Sequence, residues 1–241
     1  MRSRRFRAAL ALATLSTASC ATTLTLPPQR TPSYRYAAPK SEAGKGISVA
    51  ILRPTLAKRL LGTPADTREY GALRDALARS LLEYMTAQGM TVSGPFSAVE
   101  DMTFPEKKQA DLLLSAEFDT DATVPTGTSA AGSFFSPDPT VSSTGSCQIT
   151  GRVSFVVWEP LSMQRMWSKT LDITPVTAAC SFSFSGTNAG EAWRVAIMNA
   201  AAALSEQMFN QTMAAAARYF DPGEVALIKA QSAELREKKV Y

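Results

Sequence analysis

The stretch ISVAILRPTLAKRLLGTPADTREYGALRDALARSLLEYMTAQGMTV, residues 47–92, decides the fold. Residues 47–52 (ISVAIL) are a β-rich apolar run stopped by Arg53-Pro54, the pattern of a buried strand. Thr63-Pro64-Ala65-Asp66 reads as a helix start, with Thr63 as N-cap, Pro64 at the first helical position and an acid at the third. Tyr70, Leu73, Leu77, Leu81, Tyr84 and Met85 then recur at spacings of three and four, which predicts one buried stripe as far as about Gln88. Gly89 suits a helix C-cap, and Met90 to Val92 begin a second strand. The result is a β-α-β opening.

Downstream, Phe104 to Lys108 reads as a turn or short helix, and residues 111–124 (DLLLSAEFDTDATV) as a long third strand. Residues 125–146 draw 16 of 22 positions from Ser, Thr, Gly and Pro, which predicts a long loop, either mobile or functional. Its large apolar residues, Phe134 and Phe135, either dock on the domain or stand exposed as a candidate partner contact. Residues 149–158 alternate, with Ile149, Val153, Phe155 and Val157 on one face. Glu159-Pro160-Leu161-Ser162 turns the chain, and residues 166–173 return as the partner strand. From Gly190 to Tyr219 the period is helical, with a stripe of Trp193, Ile197, Ala200, Leu204 and Met208. Asp221-Pro222-Gly223-Glu224 reads as a capping box opening a last helix that ends near Lys238 and Lys239. These readings predict one α+β domain: a mixed sheet of about five strands with long helices on one face, in the order β-α-β-β-β-α-α.

Upstream, the chain begins as an address. Residues 1–7 are cationic, residues 8–15 apolar, and Thr17-Ala18-Ser19 places small residues before Cys20. An apolar run this short falls well under the roughly 20 residues that span a hydrocarbon core, so residues 1–19 read as a signal peptide. Its end is either a plain secretory cleavage site or a lipoprotein site; it resembles a lipobox, which implies a diacylglyceryl thioether on Cys20. No Asp follows Cys20, which points to the outer membrane, on either its periplasmic or its outer side. Residues 20–46, with Pro27, Pro28, Pro32 and Pro39, read as a flexible tether before a globular domain at residues 47–241.

The charge follows from this address. The full chain has 25 Lys plus Arg and 21 Asp plus Glu, net +4. Arg2, Arg4, Arg5 and Arg7 account for the excess, so residues 20–241 are neutral. A neutral mature chain is no match for nucleic acid.

With Cys20 lipidated, Cys147 and Cys180 remain as a pair, either disulfide-bonded in an oxidising periplasm or two buried thiols. A hairpin turning near residues 161–164 pairs positions summing to about 325, which puts Cys147 opposite a residue near 178.

The chain has no His, which excludes Ser-His-Asp and Cys-His catalysis, His-ligated zinc and a His proton switch. There is no phosphate loop and no nucleophile elbow. Glu117, Asp119 and Asp121 share one strand face and read as a solvated face rather than a cation site. Arg74, Arg79 and Glu83 read as the wet face of the first helix. No catalytic residue, metal or cofactor is expected, and the chain reads as non-enzymatic.

Together, several segments resemble the neuraminyllactose-binding hemagglutinin family, the HpaA-type lipoproteins. The residues that carry the resemblance are Ile51-Leu52-Arg53-Pro54, Gln88-Gly89 before Val92, Glu100-Asp101, Phe104, Lys107-Lys108, and Val156 with Glu159-Pro160-Leu161-Ser162. The resemblance implies an outer-membrane lipoprotein of the surface or flagellar sheath, proposed in that family to be a sialic-acid-binding adhesin. The family's proposed glycan-binding segment is rich in Lys and Arg, whereas residues 109–151 here contain neither. A sialate carboxylate is best held by Arg or Lys, so membership and location carry over while the binding segment does not. The expected function is an envelope or flagellar-sheath structural or assembly role. Its expected partners are the membrane, through the lipid, and envelope proteins. The alternative is an adhesin for host glycans.

Overall fold

A computed structural model describes residues 28–56, 68–123, 129–131, 140–143, 145–185 and 189–239. Strand β1 (Ser48–Leu52) leads through β2 (Thr55–Leu56) to helix α1 (Arg68–Ala87) and strand β3 (Thr91–Phe96). β1 and β3 pair in parallel, with Ser48 opposite Thr91, so the β-α-β opening stands. Leu73, Leu77, Leu81, Tyr84 and Met85 of the α1 stripe are all buried. Gly89 ends the helix at φ +86°, a conformation that favours glycine. The expected start at Thr63 lies outside the described residues.

A short 3-10 turn (Val99–Asp101) and helix α2 (Phe104–Gln109) carry the chain to β4 (Leu112–Thr123), parallel to β1 on its other side. The 104–108 segment is therefore a helix, capped reciprocally by Thr103 and Glu106. A return crossover that keeps the right-handed sense must use the opposite sheet face. Met102 and Ala110, flanking α2, duly pack with Ala50 and Leu113 on the face away from α1.

β4 pairs antiparallel with β7 (Ser146–Trp158), and β7 with β8 (Arg165–Ala179). The main sheet runs β3-β1-β4-β7-β8, with β2 also on β4, giving six strands where about five were expected. A second antiparallel sheet of β5 (Ser129–Ala131), β6 (Thr140–Ser143) and β9 (Phe182–Ser185) corrects the reading of residues 125–146 as one loop. The reason lies in the register. Cys147 faces Ala178 and Ser143 faces Phe182, both pairs summing to 325, so β6–β9 is the same hairpin continued past an interruption at Gly145 and Cys180. Ser and Thr resemble loop composition, but on a pleated ladder their backbones pair like any other.

Two long helices close the domain: α3 (Ala189–Tyr219) and α4 (Pro222–Lys238). With α1 they cover one sheet face in a single core that includes Phe118, Phe155, Leu204, Met208, Phe209, Phe220, Val225 and Ile228. The Tyr84 hydroxyl donates to the Ala217 and Phe220 carbonyls, fixing the α3–α4 corner on α1. Two details of the helix reading change. Trp193 is 38% exposed, while Ala192 and Val195 are buried in the first turns of α3. Asp221 caps α4 by accepting from the Gly223 N–H, but the Glu224 carboxylate accepts the Trp167 indole N–H at 3.1 Å and does not close a box.

Candidate functional site

The largest departure from expectation is at the entry to the domain. Of residues 28–46, predicted to be part of a free tether, residues 28–41 lie as an extended strap along α3 and across α1, and residues 42–46 turn into β1. Asn199 holds its start, its amide accepting the Arg30 N–H at 2.6 Å and donating to the Pro28 carbonyl at 3.2 Å. Glu206 accepts the Ser33 N–H at 2.6 Å and pairs with the Arg30 guanidinium. Tyr34 donates to the Ser205 hydroxyl and packs its ring on Phe209, centroids 5.3 Å apart; Tyr36 packs edge-on against Tyr84. Further on, Gln88 donates to the Pro39 carbonyl, and the Ser41 and Gly44 amides donate to Ala87 and Gln88 carbonyls. A strap without a strand partner must find side-chain and loop partners for its backbone, and these supply them. Over residues 31–39 the half-buried positions are Pro32, Tyr34, Tyr36 and Ala38, alternating with exposed neighbours. That period of two was present in the sequence, hidden by a proline-rich composition.

Where β7 ends, the turn Glu159-Pro160-Leu161-Ser162 is built around a carboxylate with no exposed surface. Glu159 accepts the N–H groups of Leu161 (3.1 Å) and Ser162 (2.6 Å) and the Arg236 guanidinium of α4 (2.8 Å). Arg236 also donates to the carbonyls of Ala110 (2.7 Å) and Lys108 (3.3 Å), so one guanidinium ties the turn, the end of α2 and α4 together. Burial pushes the Glu159 carboxyl up, but the hydrogen bonds from Ser162, Leu161 and Arg236 outweigh it and hold the group below the usual carboxylate range. The sequence marked this segment as a turn; a partner 77 positions away leaves no local signal.

The remaining sequence-derived candidates separate. Cys147 and Cys180 are joined by a disulfide, with Cα atoms 5.9 Å apart, where the hairpin passes from one sheet to the other. Cys20, Phe134 and Phe135 lie outside the described residues. Glu117, Asp119 and Asp121 share the outer face of β4, with Asp119 paired to Arg152 at 3.1 Å. Among the described residues no three His, Cys, Asp or Glu side chains form a metal-holding group, and no helix is long and apolar enough to cross a membrane. Arg79 and Glu83 line a cleft of about 250 Å³ with Tyr34 and Tyr36 of the strap. A cleft of about 400 Å³, not foreseen from the sequence, opens beside Trp167, Lys169, Arg218, Tyr219, Asp221 and Glu224. There the Arg218 guanidinium sits 4.8 Å over the Tyr219 ring.

No protein-family model and no curated protein matches this chain. Among solved structures it is similar to a neuraminyllactose-binding hemagglutinin homolog from Helicobacter pylori, with a TM-score of 0.60 at 15% identity, covering 84% of this chain and 98% of that one. At that identity the likeness is one of fold. A protein from Xanthomonas campestris (TM-score 0.28, 12% identity, 76% of this chain and 93% of that one) and a lipoprotein from Neisseria meningitidis (0.26, 12%, 62% and 92%) overlay more loosely.

Proposed function

We propose that this chain is a non-enzymatic outer-membrane lipoprotein, anchored through Cys20, with a structural or assembly role in the envelope or flagellar sheath. One observation carries the reading. The bond between Cys147 and Cys180 accounts for two of the three cysteines. The third, Cys20, ends a cationic, apolar and small-residue segment, where an acyl anchor belongs. Two or more acyl chains hold a protein on a bilayer stably, where one gives only marginal binding. A disulfide also suits an oxidising compartment outside the cytosol. Labelling cells with an alkyne fatty acid tests the anchor: wild-type protein takes up label and partitions into detergent, and Cys20→Ser does neither. Equal labelling of both overturns it. Crosslinking in intact cells then tests the role, with envelope or sheath proteins as the expected adducts.

The second reading, a sialic-acid-binding adhesin, is supported by the cleft at Trp167. Lys169 and Arg218 are cations beside two aromatic rings, the groups a sialate would use. Asp221 and Glu224 line the same cleft and oppose an anionic sugar. Saturable binding to sialylated glycans, lost in Arg218→Ala, would place this reading first.

A further inference from the structure

We propose that the N-terminal turns of α3, with Trp193 at their surface, rest on the lipid bilayer, so that the domain stands end-on with the β7–β8 turn pointing away from the membrane. This rests on the lipid at Cys20.

The path of the strap carries the inference. It runs alongside α3 in the same direction: Pro28 and Arg30 bond Asn199, Ser33 bonds Glu206, and Tyr34 packs on Phe209. Followed backwards, the strap therefore heads toward the N-terminal end of α3, with Pro28 beside Asn199, ten positions into the helix. Cys20 precedes Pro28 by eight positions, a fully extended reach of about 26–29 Å at roughly 3.3–3.6 Å per residue. As a flexible coil the same length spans about 14–17 Å. A tether starting the domain at residue 47 would let it turn freely; one ending at Pro28 holds this end of α3 next to the acyl chains.

Trp193 lies six residues before Asn199, about 9 Å further toward that end at 1.5 Å per residue. It is one of three large apolar side chains exposed among the described residues, the others being Phe104 and Leu227. An amphipathic indole at the surface suits the boundary between lipid and water. Half-buried Ile197 and Met198 lie one turn further in. The cations here are already paired, Arg194 with Glu191 at 2.6 Å and Arg30 with Glu206. Contact therefore depends on Trp193 and not on anionic headgroups, and is insensitive to salt.

The test uses the full lipidated chain in phosphatidylcholine vesicles with and without brominated phosphatidylcholine, whose bromines quench nearby indoles. Quenching is expected in the wild type and largely lost in Trp193→Phe, because Trp158 and Trp167, near the β7–β8 turn, are held far from the bilayer. It is expected to be unchanged when phosphatidylglycerol or salt is added. Quenching equal in wild type and Trp193→Phe, or none at all, overturns the proposal while leaving the anchor intact, provided mass analysis finds acyl chains on Cys20. Cys20 without acyl chains overturns the anchor and this proposal together.

Discussion

The strap and the β7–β8 turn are both irregular segments fastened by a carboxylate, yet they are fastened differently. Glu206, which holds Ser33 and Arg30, keeps 17% of its side chain in water, and its Arg30 partner is half exposed. Glu159 is fully buried, while its partner Arg236 keeps 22% of its side chain exposed. An exposed pair is screened and weak, whereas a buried pair leaves an uncompensated charge if one member goes. The strap is therefore expected to loosen at lower cost than the turn, which is tied to a fully buried carboxylate. A segment next to the proposed Cys20 anchor would gain from that compliance; the corner that locates α2, α4 and the hairpin would not.

Breaking the turn should have the largest effect. Arg236→Met leaves Glu159 buried and unpaired and should cost about 3–5 kcal/mol in urea unfolding. A loss under about 1 kcal/mol would erase the contrast with the strap. The double variant Cys147→Ser, Cys180→Ser frees a crosslink spanning 33 positions and should cost about 3–4 kcal/mol, an effect that reductant reproduces on the wild type. A chain beginning at residue 47 loses the packing of Tyr34 and Tyr36 on Phe209 and Tyr84, and should be less stable than one beginning at residue 21 by about 2–4 kcal/mol. Glu206→Gln keeps an acceptor for Ser33 and loses only the exposed charge, so it should cost about 0.5–1 kcal/mol.

Titration sharpens the contrast at both ends of the pH scale. The folded carboxyl of Glu159 lies below its unfolded value, so its contribution is present above the unfolded pKa of about 4.3 and is lost as pH falls through the folded one. Burial first, then the nearby Tyr36 and Asp221, push the Tyr84 hydroxyl up to about 12. Its contribution is present below the unfolded value of about 10 and is lost as pH rises toward 12. Thermal melts across pH should show both limbs, and Arg236→Met should alter only the acid one.

The β-α-β opening was legible because burial imposed a period: Leu77, Leu81 and Tyr84 can share a face only on a helix, since a strand would turn Tyr84 to the opposite side. The hairpin was legible for a related reason, since Ile149, Val153, Phe155 and Val157 alternate and the turn at Glu159 sets the register. The second sheet was not, because Thr140 to Ser143 carry no apolar alternation and are ordered by pairing with a distant strand. Trp193 was misassigned by extending a stripe that is sound at Ala200, Leu204 and Met208. In the first turns of α3 the buried positions move instead to Ala192 and Val195. The strap was lost to its prolines, and the Glu159–Arg236 pair to sequence distance.

Amide hydrogen exchange of the strap tests the account most directly. If residues 28–46 belong to the domain, the amides of Arg30, Ser33, Ser41 and Gly44, each hydrogen-bonded to α3 or to the end of α1, will exchange far more slowly than in an unfolded peptide. Arg30 and Ser33 should be less protected than the β4–β7 ladder. Exchange of all four at the unfolded rate would return these residues to a free tether and contradict the account.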